Sequence, residues 1–270
     1  MQTIYRKKEY DVRKKGGCSL QVSILASGSK GNAVYVELDG ARILIDAGIS
    51  AARITKGLRA RGVEPQSLDA VLVTHEHIDH VRGLRTLAKQ YHVPILATQG
   101  TLAGIDGGAS FAEDMHRISE DFTVGAVTIR PFPISHDAAE PCGFRLEGSH
   151  CCTLATDLGV VTETVQDAME GADVLVIEAN HDTDLLRQGG YPWPLKRRIL
   201  SNRGHLANGD AAWALTRMKK TPRKVYLAHL SEENNRPTLA RDTVNDILTS
   251  RGMTLDIESC LPEGGAEITM

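Results

Sequence analysis

The chain has few cysteines, and none of them forms a CxxC pair. There are five in 270 residues, an odd number at irregular spacing, which argues against a disulfide framework. The sequence also lacks the run of about 18 apolar residues that a membrane-spanning helix requires, and residues 1–17 lack the apolar core of a signal peptide. We therefore expect a reduced, cytoplasmic protein that is neither secreted nor membrane-spanning.

A large charge of one sign is also missing. Lysine and arginine number 31 against 34 acidic residues, for a net charge of −3 and a pI near 6.4. No global positive field attracts nucleic acid, so any such contact depends on a local patch. No shift in composition or linker divides the chain. We predict one domain over residues 19–270, preceded by a flexible basic N-terminal extension over residues 1–18 that is more simply a solvated tail than a nucleic-acid arm.

The most informative stretch is HEHIDH at residues 75–80, directly after an apolar run. Imidazoles and a carboxylate in this context suit Zn²⁺, Mn²⁺ or Fe²⁺. In an extended segment His75 and His77 project to the same side, whereas Asp79 and His80 come where a helix begins and face another direction. The pattern predicts two metal ions, one for each pair. A solvated polar turn explains a lone histidine, but it is a poor explanation of four clustered ligands.

Short apolar runs separated by turn residues predict strands, and longer periodic stretches predict helices. The expected strands are 20–25, 33–38, 43–45, 70–73, 93–97, 124–131, 143–146, 151–155, 173–177, 224–228 and 254–257. The expected helices are 51–61, 80–90, 209–219 and 237–250. The first three strands should form a meander, residues 143–155 a hairpin, and Asp79 should be the N-cap of the second helix.

Two further segments each have two interpretations. The loop SGSKGN at residues 27–32 could cradle an anion with its backbone N–H groups, although a tight turn needs the same glycines and composition alone favours the turn. The basic residues of the second segment could pair with backbone phosphates or form a solvated helix face. They are Lys196, Arg197, Arg198 and Arg203.

These motifs resemble a known family. HxHxDH is the signature of the metallo-β-lactamase fold, and a larger set of motifs is similar to the YycJ/WalJ family from Ser27 onward: SGSKGN, IDAG, THEHIDH, HDAAEPCGF, ATDLG, NHD, YPWPLKRRILSNRGHLAN and HLSEENN. Ile78 and Ala207 stand where serine is usual. The resemblance implies an α/β protein, an αββα four-layer sandwich of the metallo-β-lactamase fold with its ligands on loops at one edge.

The resemblance also implies a role for individual residues. It assigns His75, His77 and His136 to one metal, Asp79, His80 and His229 to the other, and Asp157 to a bridge between them. Asp46 would support ligands from outside the coordination sphere. The implied cofactors are two divalent ions (Zn, Mn or Fe), and a hydroxide held between them would be the nucleophile.

Residues outside the ligand set decide what is hydrolysed. In phosphodiesterase branches of the fold a glutamate orients a histidine that faces the phosphate, and Glu178 and His205 match these positions; a helix-capping histidine is the simpler alternative. The catalytic residues would then be Asp79, His205 and Glu178. The residues expected to contact substrate are Ser29, Asn32, His181 and Arg198.

The function expected from the resemblance is a DNA exonuclease that acts 5′ to 3′ in DNA repair, with single- or double-stranded DNA and repair proteins as partners. A small-molecule or cyclic-nucleotide phosphodiesterase is the main alternative. Thioester or lactone hydrolysis is disfavoured by the pair Glu178 and His205, and a non-enzymatic scaffold by the complete ligand set. The chain lacks a β-CASP-sized insertion between Asp157 and His205 and a long Gly/Pro-rich arm, which argues against RNase J-like and RNase Z-like roles.

Overall fold

The computed structural model describes residues 2–3, 19–105 and 114–270. The strands are β1 Gln2–Thr3, β2 Leu20–Ala26, β3 Ala33–Leu38, β4 Ala41–Ile45, β5 Ala70–Leu72, β6 Ile95–Ala97, β7 Met115–Arg117, β8 Phe122–Val124, β9 Val127–Pro133, β10 Cys142–Glu147, β11 Cys151–Ala155, β12 Val174–Glu178, β13 Lys224–Ala228, β14 Ile257–Ser259 and β15 Glu267–Thr269. The helices are α1 Ala51–Arg59, α2 Ile78–Val81, α3 Leu84–Tyr91, α4 Gln99–Gly104, α5 Glu163–Met169, α6 Thr183–Gln188, α7 Trp193–Ile199, α8 Asn208–Thr216 and α9 Pro237–Ser250, with a 3-10 turn at Pro65–Ser67.

The strands form two sheets. One has the order β1-β8-β9-β10-β11-β12-β13-β14 and the other β15-β2-β3-β4-β5-β6-β7. The predicted meander β2-β3-β4 is confirmed, as is the antiparallel hairpin β10-β11. Beyond β4 in one sheet and beyond β11 in the other, neighbouring strands are parallel. Parallel neighbours need a crossover connection, and the intervening helices provide it.

Three apolar clusters define four layers. The first lies between the sheets and includes Val22, Ile45 and Phe144. The second joins the outer face of the seven-stranded sheet to α1 and α3, and the third joins the eight-stranded sheet to helices that include α8 and α9. Because β5 and β12 are buried on both faces, β5 is apolar throughout and β12 is apolar up to Glu178 at its end. The predicted αββα sandwich is confirmed.

The helix predicted over 80–90 is wrong in its start and its continuity. Helix α2 begins at Ile78 with His77 as N-cap, so Asp79 lies in its first turn, and α3 begins only after Gly83. At Gly83 the backbone amide donates to the Ala47 carbonyl, and an added Cβ would lie 2.2 Å from the Ile49 carbonyl oxygen. This close approach to the turn after β4 interrupts the helix there.

The ends of the chain also differ from expectation. The last strand is β15, which pairs antiparallel with β2, whereas the sequence suggested that residues 254–257 close the fold. At the N-terminus, Gln2–Thr3 pair with β8 in parallel, and the remainder of the predicted 1–18 extension lies outside the described residues.

The described cysteines are all free thiols, in agreement with the expected lack of disulfides. They are Cys142, Cys151, Cys152 and Cys260, and Cys18 lies outside the described residues. Across residues 2–3, 19–105 and 114–270, no helix is both long and apolar enough to cross a membrane.

Parallel strands place their carboxyl ends at one edge of the sandwich, and polar residues follow there in both sheets. Asp46 comes directly after β4 and His75 shortly after β5. In the other sheet, Asp157 follows β11, Glu178 ends β12, and His229 follows β13. Residues far apart in sequence therefore meet at this edge.

Candidate metal centre

The first group of side chains joins the loop after β5 to the loop after β9. His75, His77 and His136 place their ring nitrogens within metal-ligand spacing of one another. Nε2 of His75 lies 3.0 Å from Nδ1 of His77, and Nε2 of His136 lies 3.3 Å from the same nitrogen. Three imidazole nitrogens converging on one point is the donor set that zinc and similar ions prefer.

The second group lies beside the first and shares an aspartate with it. Nε2 of His80 lies 3.6 Å from Oδ2 of Asp79, and Nε2 of His229 lies 3.5 Å from the same oxygen. Asp157 stands between the groups, with Oδ2 3.3 Å from His80 Nε2 and Oδ1 3.9 Å from His136 Nε2. The structure thus brings all seven predicted ligands together in two groups.

Each deeply buried histidine is held by an oxygen on the side away from this common space. Nδ1 of His80 donates to Asp46 at 2.7 Å, and Nδ1 of His136 donates to the Gly204 carbonyl at 3.1 Å. Nδ1 of His75 lies 3.0 Å from the Thr74 hydroxyl. Such outer contacts fix the ring orientation and the tautomer, and they direct Nε2 toward the common space.

Glu178 holds two histidines with one oxygen. Its Oε1 accepts hydrogen bonds of 2.8 Å from Nδ1 of both His205 and His229. Its Oε2 accepts from the backbone N–H groups of Leu158 and Leu206. The contact to His205 was expected from the sequence, whereas the shared contact to His229 was not. One carboxylate therefore positions a predicted ligand and the predicted proton donor.

Several carboxylates give the site a strong negative charge next to its imidazole rings. Burial lowers the pKa of His75 well below its usual value, which keeps the ring neutral. Burial opposes charge on His80 and His229 too, but carboxylates outweigh it: Asp157 and Asp46 raise the pKa of His80 well above normal, and Asp157, Asp79 and Glu178 raise that of His229 to about 10. Positive charge is favoured at this position, whether it is carried by protons or by metal ions.

Unpaired buried atoms provide a separate test of whether these side chains suit a metal ion. Oδ2 of Asp157 and Nε2 of His229 are buried and make no well-formed hydrogen bond in the described structure, although they lie 3.3 Å from His80 Nε2 and 3.5 Å from Asp79 Oδ2. An unpaired buried polar group costs about 1–3 kcal/mol. Both atoms face the other ligands, so a cation between them would satisfy both.

Asp46, Asp157 and His229 also adopt left-handed φ angles of 61°, 58° and 54°. Non-glycine residues adopt this conformation at an energetic cost, and it concentrates at functional sites.

The predicted substrate residues have different environments. Ser29 is exposed on the 27–32 loop. The Asn32 amide is buried and lies 3.1 Å from His80 Nε2, so it faces the ligands. Arg198 is exposed and pairs with Asp137 beside His136. His181 is 1% exposed, and among the described residues neither of its ring nitrogens has a hydrogen-bond partner, so its contact to substrate stays a prediction.

The basic segment divides into buried and exposed parts. Lys196 is buried and donates to the carbonyls of Arg187 and Gly189, so it anchors the end of α6, and the phosphate contact considered for it is wrong. Arg197, Arg198 and Arg203 are exposed. The Arg203 guanidinium donates to the His136 carbonyl, which places it at the rim of the metal centre.

Sequence reasoning missed two contributors to this site. The Thr74 hydroxyl donates to the Asp46 carboxylate and approaches the rings of His75 and His80. The Gly204 carbonyl accepts from His136, and an added Cβ on Gly204 would lie 2.2 Å from the Arg198 carbonyl oxygen. The signal for Thr74 was its place in THEHIDH, but the contact of Gly204 depends on a close approach that the sequence does not show.

Comparison with known proteins agrees with this geometry. The Beta-lactamase superfamily domain matches residues 41–230, and the chain is a metal-dependent hydrolase of that superfamily. The chain is 38% identical to "Exodeoxyribonuclease WalJ" of Streptococcus pneumoniae over 244 residues, which cover 87% of this chain and 91% of the relative. It is also 38% identical to "Exodeoxyribonuclease YycJ" of Bacillus anthracis over 242 residues, covering 86% and 90%. The chain therefore belongs to the WalJ/YycJ family.

Solved structures of lower identity share the fold. The metallo-β-lactamase fold protein YhfI from Bacillus subtilis superposes with a TM-score of 0.71 at 18% identity. The superposition covers 94% of this chain and 100% of YhfI. At this identity the likeness shows the fold alone, and it agrees with the four layers described above.

Proposed function

We propose that this protein is a DNA exonuclease that hydrolyses phosphodiester bonds in the 5′ to 3′ direction with two divalent ions, Zn, Mn or Fe. The observation that carries the proposal is the convergence of seven donor side chains on one space around Asp157. They are His75, His77 and His136 for one ion and Asp79, His80 and His229 for the other, with Asp157 between the two sets. The 38% identity to two exodeoxyribonucleases supports DNA as the substrate.

The ions would supply the chemistry that these side chains lack: bound divalent ions lower the pKa of water and polarise phosphoryl oxygens. The protein contributes orientation. Thr74, Asp46 and Glu178 hold the ligand rings from behind, so little reorganisation is needed during the reaction.

His205 is the proposed proton donor to the leaving oxygen. Its Nδ1 donates to Glu178, so Nε2 is the nitrogen available to a substrate, and its side chain is 21% exposed beside the buried ligands. The pKa of Glu178 is lowered to about 2, because the neighbouring His205 and His229 outweigh the effect of burial. The ionised carboxylate accepts from Nδ1 of His205 and so fixes the orientation of the ring, which directs Nε2 away from Glu178.

Arg198 and Arg203 are the proposed contacts to the DNA backbone. Both are exposed next to His136, and arginine binds phosphate without reading the base. A patch of this size is compatible with a net charge of −3, since only the rim of the site must be positive. A role in DNA repair with repair proteins as partners is supported by the resemblance to the YycJ/WalJ family.

The test is a metal-reconstitution assay. Protein treated with chelator is reloaded with Mn²⁺ or Zn²⁺ and incubated with end-labelled single- and double-stranded DNA and RNA. We expect stepwise shortening of DNA that requires added metal. Asp79→Ala and His205→Ala should abolish or strongly reduce it, and His92→Ala, at a histidine whose side chain is 78% exposed, is the matched control.

Two results would contradict the proposal. Nuclease activity that survives Asp79→Ala at full rate indicates a contaminating enzyme. Turnover of chromogenic phosphodiesters or cyclic nucleotides without any cleavage of DNA favours the small-molecule phosphodiesterase instead.

A further inference from the structure

A cavity of about 410 Å³ lies against the 27–32 loop. Its walls include Ser27, Gly28, Lys30 and Gly31 of that loop, together with Arg53 and Glu232. Binding sites for small organic molecules have volumes of about 300–1,000 Å³. The cavity is therefore large enough for a ligand of nucleotide size, and none of its walls belongs to the proposed ligand set.

The loop between this cavity and the metal centre contacts both. The Ser27 hydroxyl accepts a hydrogen bond of 2.8 Å from the His229 backbone, and Asn32 lies 3.1 Å from His80 Nε2. At the same time Ser27 lines the cavity. A group bound in the cavity is thus one loop away from two predicted metal ligands, a position suited to a nucleotide next to the bond that is cleaved.

The cavity wall offers hydrogen-bond donors. Lys30 has a side chain that is 78% exposed, and among the described residues its backbone N–H group has no intramolecular acceptor. Arg53 adds a guanidinium, which donates to the Pro262 carbonyl at 3.3 Å. An ammonium group, a guanidinium and an unpaired backbone amide on one wall can bind an anion together.

Glycine keeps this loop in place. Gly28 and Gly31 have φ angles of 138° and 156°, and an added Cβ on Gly31 would lie 2.6 Å from the Gly48 carbonyl oxygen. The Arg82 guanidinium also donates to the Lys30 carbonyl at 3.1 Å. The backbone at Lys30 is therefore held in position before any ligand arrives.

Two carboxylates limit which anions can bind. Glu232 pairs with Lys30 at 2.5 Å, and Glu263 also lines the cavity. A bound anion must displace Glu232 from Lys30. Exposed ion pairs contribute little, about 0–1 kcal/mol, so a strong phosphate ligand can replace this one. A terminal phosphate carries about −1.5 to −2 charges, whereas an internal phosphodiester carries only one, so the terminal group competes better.

We propose that this cavity binds the phosphorylated terminal nucleotide of the DNA strand, with the 5′-phosphate on the side chain and the backbone amide of Lys30. Recognition of a doubly charged end would direct cleavage to strand termini. The inference rests on the proposed exonuclease function and extends it to the chemistry of the end that the enzyme selects.

The test compares DNA strands that differ only in a 5′-phosphate or a 5′-hydroxyl. For the wild type we expect kcat/KM to be at least about 10-fold higher with the phosphate, as a charge-assisted contact predicts. Lys30→Ala should lose this preference and keep activity on the hydroxyl end. Glu232→Gln should increase the preference, because it removes the competing carboxylate. Lys56→Ala, on the exposed face of α1, is the matched control and should behave as the wild type.

The outcomes separate this inference from the proposed function. Equal rates on the two ends, or a preference that survives Lys30→Ala, would overturn the assignment of the cavity while leaving an exonuclease. Loss of metal-dependent cleavage of every DNA by the wild type would instead overturn the proposed function. Thermal unfolding of each variant shows whether it is folded, and replacement of the exposed Lys30 should leave the melting temperature nearly unchanged.

Discussion

The seven predicted metal ligands, which we call the ligand ring, are built differently from the exposed residues around them, which we call the rim. In the ring, His75, His80 and His229 are at most 2% exposed, and each is held by an oxygen from behind. At the rim, Lys30 and Arg198 form exposed ion pairs with Glu232 and Asp137. Buried, fixed groups suit a reaction that demands precise geometry, whereas exposed pairs can exchange their partner for a phosphate. We therefore expect ring substitutions to affect catalysis and rim substitutions to affect substrate choice.

The largest effect is expected at the centre of the ring. Asp157→Asn keeps the size of the side chain but removes the charge shared by both groups of ligands. We expect bound metal to fall and DNA cleavage to decrease on the order of 10³-fold or more, as measured by elemental analysis and an end-label assay. A variant with full metal content and normal activity would contradict the central position of Asp157.

The next-largest effect on activity is expected at His205, the proposed proton donor. His205→Gln should lower kcat by about 10²- to 10⁴-fold, because it removes the proposed general acid. Metal content should not change, since His205 is not a predicted ligand, and His92→Gln serves as the control. Loss of metal together with activity would instead identify His205 as a ligand.

A smaller effect on activity is expected at Asp46, which holds a predicted ligand without being one. Asp46→Asn weakens the hold on His80 Nδ1 without removing a ligand. Metal affinity should fall by about 10- to 100-fold, and excess metal should restore most of the activity. Titration of the metal-free protein with Zn²⁺ measures this change. If excess metal fails to rescue the variant, Asp46 has a role beyond orientation of His80.

The smallest effect is expected at the rim. Arg198→Ala should reduce the salt dependence of DNA binding, with the slope of log K against log salt falling by about one for the lost phosphate contact. Arg223→Ala is the control, because this exposed arginine pairs with Asp173 at the opposite end of β13. Identical slopes for wild type and both variants would show that DNA does not reach Arg198.

Regular patterns in the chain determined most of the fold. The strand runs 33–38 and 224–228 and the helix 237–250 were predicted with the bounds that the structure has. Uninterrupted apolar runs were informative because strands covered on both faces need no polar alternation. The break in the helix after HEHIDH was missed because it depends on Gly83 touching the turn after β4.

For the site, the sequence by itself determined which residue types were present and, through motif spacing, which ones to examine. Only the tertiary structure decided what each one contacts: that Glu178 holds two histidines, that Lys196 is buried under α6, and that His181 is enclosed. The physical reason is that ligands and their supports come from loops up to about 200 residues apart, such as Ser27 and His229, which are separated by 202 positions. Contacts at that separation are set by the packing of two sheets, which local sequence patterns do not encode.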